Sequence, residues 1–145
     1  MSDTVFEGGC NCGAVHYTST AEPVITGLCH CRACQRDSGA AHGAHIGIPK
    51  EALTLTGELK FWDSEADSGN IVSRGFCPNC GAPVMSRNSG MPDFVFLRAG
   101  SADDPNVFSP QVVVYKKDAA NWARFDPDLP AFDGMPPSEN LPDGM

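Results

Sequence analysis

The chain has 145 residues, of which 41% are hydrophobic and 19% charged, with a formal net charge of −8. That length and balance suit one folded domain that buries a core without disulfide staples, and they exclude a disordered chain. No apolar run reaches the ~20 residues needed to span a membrane, and the acidic balance repels phosphate backbones, which argues against a nucleic-acid partner.

The N-terminus, Met1-Ser2-Asp3-Thr4-Val5-Phe6, has neither the basic stretch nor the apolar run of a secretory leader. The expected compartment is the cytoplasm, where thiols stay reduced and clustered cysteines serve as metal ligands. Fifteen glycines and twelve prolines point to many turns and an all-β chain.

Val5 to Gly9 and Ala14 to Thr20 read as strands of a hairpin whose turn is Gly9-Cys10-Asn11-Cys12-Gly13. Val24 to Leu28 is a short strand that delivers the chain to Cys29, Cys31 and Cys34, on one helical turn closed by Gly39. Ala41 to Ile48 is extended, and Pro49 to Ala52 forms a short helical turn with proline at its start. Leu53 to Thr56 and Leu59 to Trp62 flank Gly57-Glu58 and predict a second hairpin. Ile71 to Phe76 enters Cys77-Pro78-Asn79-Cys80-Gly81, and Phe94 to Ala99 and Val112 to Tyr115 complete the strands. Residues 126–145 are proline-rich and read as an extended tail. The domain is placed at 1–133, with 134–145 extended or disordered. Only short helical turns are expected, and no repeat is present beyond an echo among the cysteine motifs.

The seven cysteines carry the chemistry. A Cys-x-x-Cys turn points two sulfurs at one ion, and tetrahedral zinc then requires two more ligands from elsewhere. In Cys77-Pro78-Asn79-Cys80-Gly81, Pro78 fixes φ and Gly81 permits the left-handed turn past the second sulfur. Pairing Cys77 and Cys80 with Cys10 and Cys12 gives a closed, structural four-thiolate site. Cys29, Cys31 and Cys34 form a local triplet that leaves one coordination position for water or substrate. Such a site exchanges its metal more readily. Disulfides, an iron–sulfur cluster, and closure of the second site by His30, His42 or His45 stand as alternatives. The odd cysteine count and the absence of ferredoxin spacing weigh against the first two.

These residues carry a resemblance. Gly8-Gly9-Cys10-Asn11-Cys12-Gly13-Ala14-Val15, the run from Cys29 to Gly39, Leu55-Thr56-Gly57, the run from Arg74 to Gly81, and Asp126 to Phe132 resemble the glutathione-dependent formaldehyde-activating enzyme family. This family is also described as the centromere-protein-V/GFA domain and has an Mss4-like fold. The similarity spans about residues 5–133. It implies coiled antiparallel sheets, a structural zinc on Cys10, Cys12, Cys77 and Cys80, and a second zinc on Cys29, Cys31 and Cys34. It further implies addition of glutathione, or a similar thiol, to formaldehyde, giving an S-hydroxymethyl adduct, a carbon–sulfur lyase reaction. Position 42 is commonly a large apolar or aromatic residue in this family and is His42 here, and Val112 to Tyr115 stands where a His-Ile-Trp-like strand is frequent.

Glutathione carboxylates call for arginine or lysine. Arg36, directly after the triplet, is the first choice, with Arg32 and Arg74 also near cysteine motifs. Trp62 and Trp122 are candidates for a pocket wall or for the core, and Gln35 and Ser38 for hydrogen bonds to substrate. A non-catalytic thiol carrier and an Mss4-like protein-binding module are the competing functions. An adaptor needs only the four-thiolate site, so the additional triplet favours the enzyme and the carrier.

Overall fold

The computed structural model describes residues 3–141. Ten strands follow in chain order: β1 (Phe6–Gly9), β2 (His16–Ser19), β3 (Ile25–Cys29), β4 (Gly43–Pro49), β5 (Leu53–Thr56), β6 (Lys60–Glu65), β7 (Ile71–Phe76), β8 (Pro83–Asn88), β9 (Phe94–Arg98) and β10 (Val112–Val114). One α-helix, α1 (Arg32–Ser38), follows β3, and the remaining helical segments are single 3₁₀ turns. The described residues are therefore mostly β, as expected.

The strands form two sheets, one ordered β1-β2-β5 and the other β10-β3-β4-β9-β8-β7-β6. Every pairing is antiparallel except that of β10 with β3, which run parallel. The core lies between the sheets. Tyr17, Ile46, Ile48, Val84 and Leu97 are wholly buried in it, together with Cys77. Tyr17 keeps its hydroxyl satisfied by Ser101 Oγ at 2.8 Å, as a buried phenol must.

Two expectations are corrected. Leu53–Thr56 and the strand after it do not form a hairpin. β5 pairs with β2, while β6 pairs with β7 in the other sheet. Gly57, at φ 87°, makes this crossing, because a Cβ there would strike the Ala14 carbonyl. In addition, β8 was not anticipated, and it completes the hairpin that carries Cys77 and Cys80.

Part of the proline-rich tail is tied down. Val113 N donates to Pro130 O at 2.9 Å and Phe132 N to Val113 O at 2.9 Å. Tyr115 N reaches Gly134 O at 3.1 Å. Residues 142–145 of the expected tail lie outside the described residues.

Candidate functional site

Two tight turns bring four sulfurs together. Cys10 and Cys12 sit between β1 and β2, and Cys77 and Cys80 between β7 and β8. All four Sγ atoms lie within 4.8 Å of one another. Cys10–Cys12 measures 3.7 Å and Cys12–Cys77 3.8 Å. The edge of a tetrahedron with zinc–sulfur bonds of ~2.3 Å is about 3.8 Å, so the donor set fits a zinc ion.

The turns also supply N–H donors. Val15 N points at Cys10 Sγ (3.3 Å), Asn79 N at Cys77 Sγ (3.4 Å) and Asn79 Nδ2 at Cys12 Sγ (3.2 Å). The Val15 amide is the main reason the Cys10 thiol falls to a pKa of about 6. Such donors stabilise thiolate over thiol.

The second sulfur group is local. Cys29 ends β3, Cys31 is the N-cap of α1, and Cys34 lies in its first turn. Their Sγ atoms also lie within 4.8 Å of one another. Cys31 Sγ accepts from Cys34 N at 3.3 Å. Sulfur-to-sulfur hydrogen bonds from Cys29 and Cys34 pull the Cys31 thiol down to about 2, while the same sharing pushes Cys29 upward.

A polar network backs this triplet. His45, on β4, places Nε2 3.5 Å from Cys34 Sγ. Its Nδ1 lies 3.0 Å from Arg98 Nη1. A guanidinium only donates, so Nδ1 accepts and the proton is assigned to Nε2, facing the sulfur. Burial, then Arg98 and Arg74, hold the His45 pKa down to about 3, which keeps the ring neutral. In this tautomer His45 is a donor to the Cys34 sulfur, and closing the site as a fourth ligand would cost it the Arg98 bond. Arg98 is anchored in turn by Asp37 Oδ2 (2.9 Å) and Ser86 Oγ (3.1 Å). Arg74 is nine-tenths buried and has no carboxylate partner among the described residues. It donates to Ser64 Oγ (3.0 Å) and directs Nη2 toward Cys34 Sγ at 4.0 Å, and its Nε has no partner.

Cys29, Cys31 and Cys34 line a cavity of about 650 Å³, together with His45, Arg74 and Arg98. Tyr115 stands in the same wall with φ 56° and ψ 39°. A left-handed backbone is strained for a bulky aromatic by about 1–3 kcal/mol, and such strain clusters at ligand sites. Met135, Pro136 and Leu141 from the tail line the cavity as well. The four-sulfur group is absent from this lining.

Residues 5–118 match the family model of the glutathione-dependent formaldehyde-activating enzyme. The chain belongs to this family. A Rhodobacter sphaeroides protein of known crystal structure shares the fold at a TM-score of 0.54, with 17% identity over 67% of this chain and 87% of that one. No curated protein matches the sequence.

In this member of the formaldehyde-activating family, several expected site residues lie elsewhere. Arg36 is exposed and outside the cavity lining, because α1 turns it to the opposite side from Cys34. Arg32, Arg74 and Arg98 are the lining cations. Gln35 is structural. Its Nε2 donates to His30 O (2.7 Å) and Asp118 O (3.0 Å), and its Oε1 accepts from Arg32. Ser38 bonds only locally, to Gln35 O and from Ala40 N. Trp62 and Trp122 are each 60% exposed and belong neither to the core nor to the cavity wall. His30 is buried against His42 (5.2 Å between ring centroids) and Phe125 (4.8 Å), outside the sulfur group. Arg98 was missed. It ends a strand of ordinary apolar residues, and no local motif marks it.

Proposed function

We propose that this chain is a zinc-dependent carbon–sulfur lyase that joins a thiol to a small aldehyde, forming an S-hydroxymethyl adduct. The family's name points to glutathione and formaldehyde. The observation that carries the reading is the three-sulfur group opening onto a cavity beside a buried Arg74 that meets no carboxylate among the described residues.

Cys10, Cys12, Cys77 and Cys80 would hold a structural zinc ion, and Cys29, Cys31 and Cys34 a second one. The second ion would supply a position at which a substrate thiol is held as thiolate at neutral pH. Three thiolates on a divalent ion leave a net negative site, and a substrate thiolate deepens it. Arg74 offsets that charge without a competing carboxylate. His45 Nε2–H orients Cys34 Sγ and withdraws charge from it, while Arg98 fixes the His45 ring. The cavity brings the aldehyde carbon to the thiol sulfur. The thiol releases its proton to water as its sulfur is held as thiolate; the carbon–sulfur bond then forms as the carbonyl pair moves to oxygen, which takes that proton back from water. Thiol–aldehyde addition is intrinsically easy, so much of the rate gain comes from proximity.

The test mixes zinc-loaded protein with glutathione or another thiol and formaldehyde, and follows thiol loss against the protein-free background. The expected result is acceleration that disappears in Cys31→Ser. Thiol binding without acceleration would reduce the protein to a carrier and overturn the lyase reading.

A further inference from the structure

The charge and lining of the cavity bear on which thiol it takes. Glutathione brings two carboxylates besides its sulfur, and each needs a free cation. Among the described residues, three arginines line the cavity. Arg98 is paired with Asp37, Arg74 is turned to Ser64 and Cys34 Sγ, where it offsets the sulfur charge, and Arg32, bonded to the neutral Gln35, is the one cation left for two carboxylates. Against them, Glu65, Asp67 and Asp118 line the same cavity, with Glu65 and Asp67 exposed at its rim. Lys117 reaches Asp67 only at 3.8 Å and is not part of the lining. Arg36 lies outside.

Much of the remaining wall is apolar. Ile25, Val72, Phe96, Val112, Val114 and Met135 face the same space as the triplet. A pocket with an apolar body and a few placed polar groups fits an apolar ligand. Its acidic rim penalises anionic competitors, and specificity frequently rests on such repulsion.

We propose that the thiol substrate carries an apolar body and no carboxylate, and that this cavity discriminates against glutathione. The proposal rests on the thiol–aldehyde reading of the same site and narrows it. The sulfur enters beside Cys29, Cys31 and Cys34, the body lies along the wall of β3, β7, β9 and β10, and the rim carboxylates penalise a peptide that carries two carboxylates.

The experiment is calorimetric titration of the zinc-loaded, full-length protein with benzyl mercaptan and with glutathione. Benzyl mercaptan is expected to bind at least about tenfold more tightly, from burial of its ring. The same ranking is expected for benzyl methyl sulfide against S-methylglutathione, which form no thiolate and so report on the body alone. Equal affinities, or tighter glutathione in either pair, would overturn the proposal. In Glu65→Lys/Asp67→Lys, both substitutions exposed, glutathione affinity is expected to rise about three- to tenfold at low salt while benzyl mercaptan is unchanged. An unmoved glutathione affinity would refute the role of the rim. Formaldehyde-dependent loss of both thiols is followed in the same samples. Its absence would defeat the lyase reading, whereas the affinity ranking decides the present proposal either way.

Discussion

Replacing Arg98 by methionine tests whether the polar network behind the cysteine triplet is a single unit. Methionine keeps much of the stem and removes every donor. The change leaves Asp37, whose side chain is 17% exposed, without its cation at 2.9 Å, and leaves His45 Nδ1 and Ser86 Oγ without a donor. Breaking a buried ion pair costs about 3–5 kcal/mol, and the partial exposure of Asp37 puts this one near 3. The lost bond to His45 adds about 1 kcal/mol. The expected loss is therefore about 4 kcal/mol, a large part of the 5–15 kcal/mol that holds a typical domain together. Urea unfolding at saturating zinc measures it. In Arg98→Met/Asp37→Asn no charge is stranded, so the double variant should lose only about 2 kcal/mol, less than Arg98→Met alone. A loss under 1 kcal/mol for the single variant, or a double variant as costly as the sum of the singles, would refute the reasoning.

Removing ligands should separate the two sulfur groups. Cys80→Ser is expected to unfold or aggregate the protein, since metal binding and folding are linked there, whereas Cys31→Ser should stay folded and carry one zinc ion fewer by elemental analysis. The His45 pKa lies at about 3 in the fold against 6.5 for a free histidine. Its contribution is therefore complete above pH 6.5 and is lost as the pH falls toward 3. Wild-type stability should drop relative to His45→Gln across that window, by at most about 1.4 kcal/mol per pH unit, as read from urea midpoints. Gly8→Ala places a methyl group against the Ser101 carbonyl and the Tyr17 hydroxyl. Overpacking of this kind costs about 1–3 kcal/mol, which thermal unfolding would register.

The grouping of the cysteines was the most legible feature in the sequence. Metal ligation would demand one residue type at short fixed spacings, and Cys10-x-Cys12, Cys29-x-Cys31-x-x-Cys34 and Cys77-x-x-Cys80 meet that demand locally, with sulfurs that converge into two groups. The strands were legible where β-branched and apolar residues run together, as in Ile71–Phe76 or Val112–Val114. β8 escaped because Pro83-Val84-Met85-Ser86-Arg87-Asn88 begins with proline and ends in polar residues. Its strand character comes from neighbours on both sides. The Gly57-Glu58 pair resembles a hairpin turn, yet β5 finds its partner in β2. Pairing across sheets is decided by tertiary packing and leaves no local mark. The same reason hid Arg98. Its role depends on Asp37, 61 residues away in sequence, and His45, 53 residues away.

The closed sulfur cage joins segments made at different times. Cys77 follows Cys12 by 65 positions, and ribosomes extend chains at about 5–20 residues per second, so the first pair waits roughly 3–13 s for the second. During that interval Cys10 and Cys12 are naked thiols on a nascent chain, able to take a wrong ion or an oxidant. Newly made protein should therefore be most vulnerable to copper or peroxide before Cys77 and Cys80 have emerged, and supply of the proposed zinc ion during translation should govern yield more than zinc supplied afterwards.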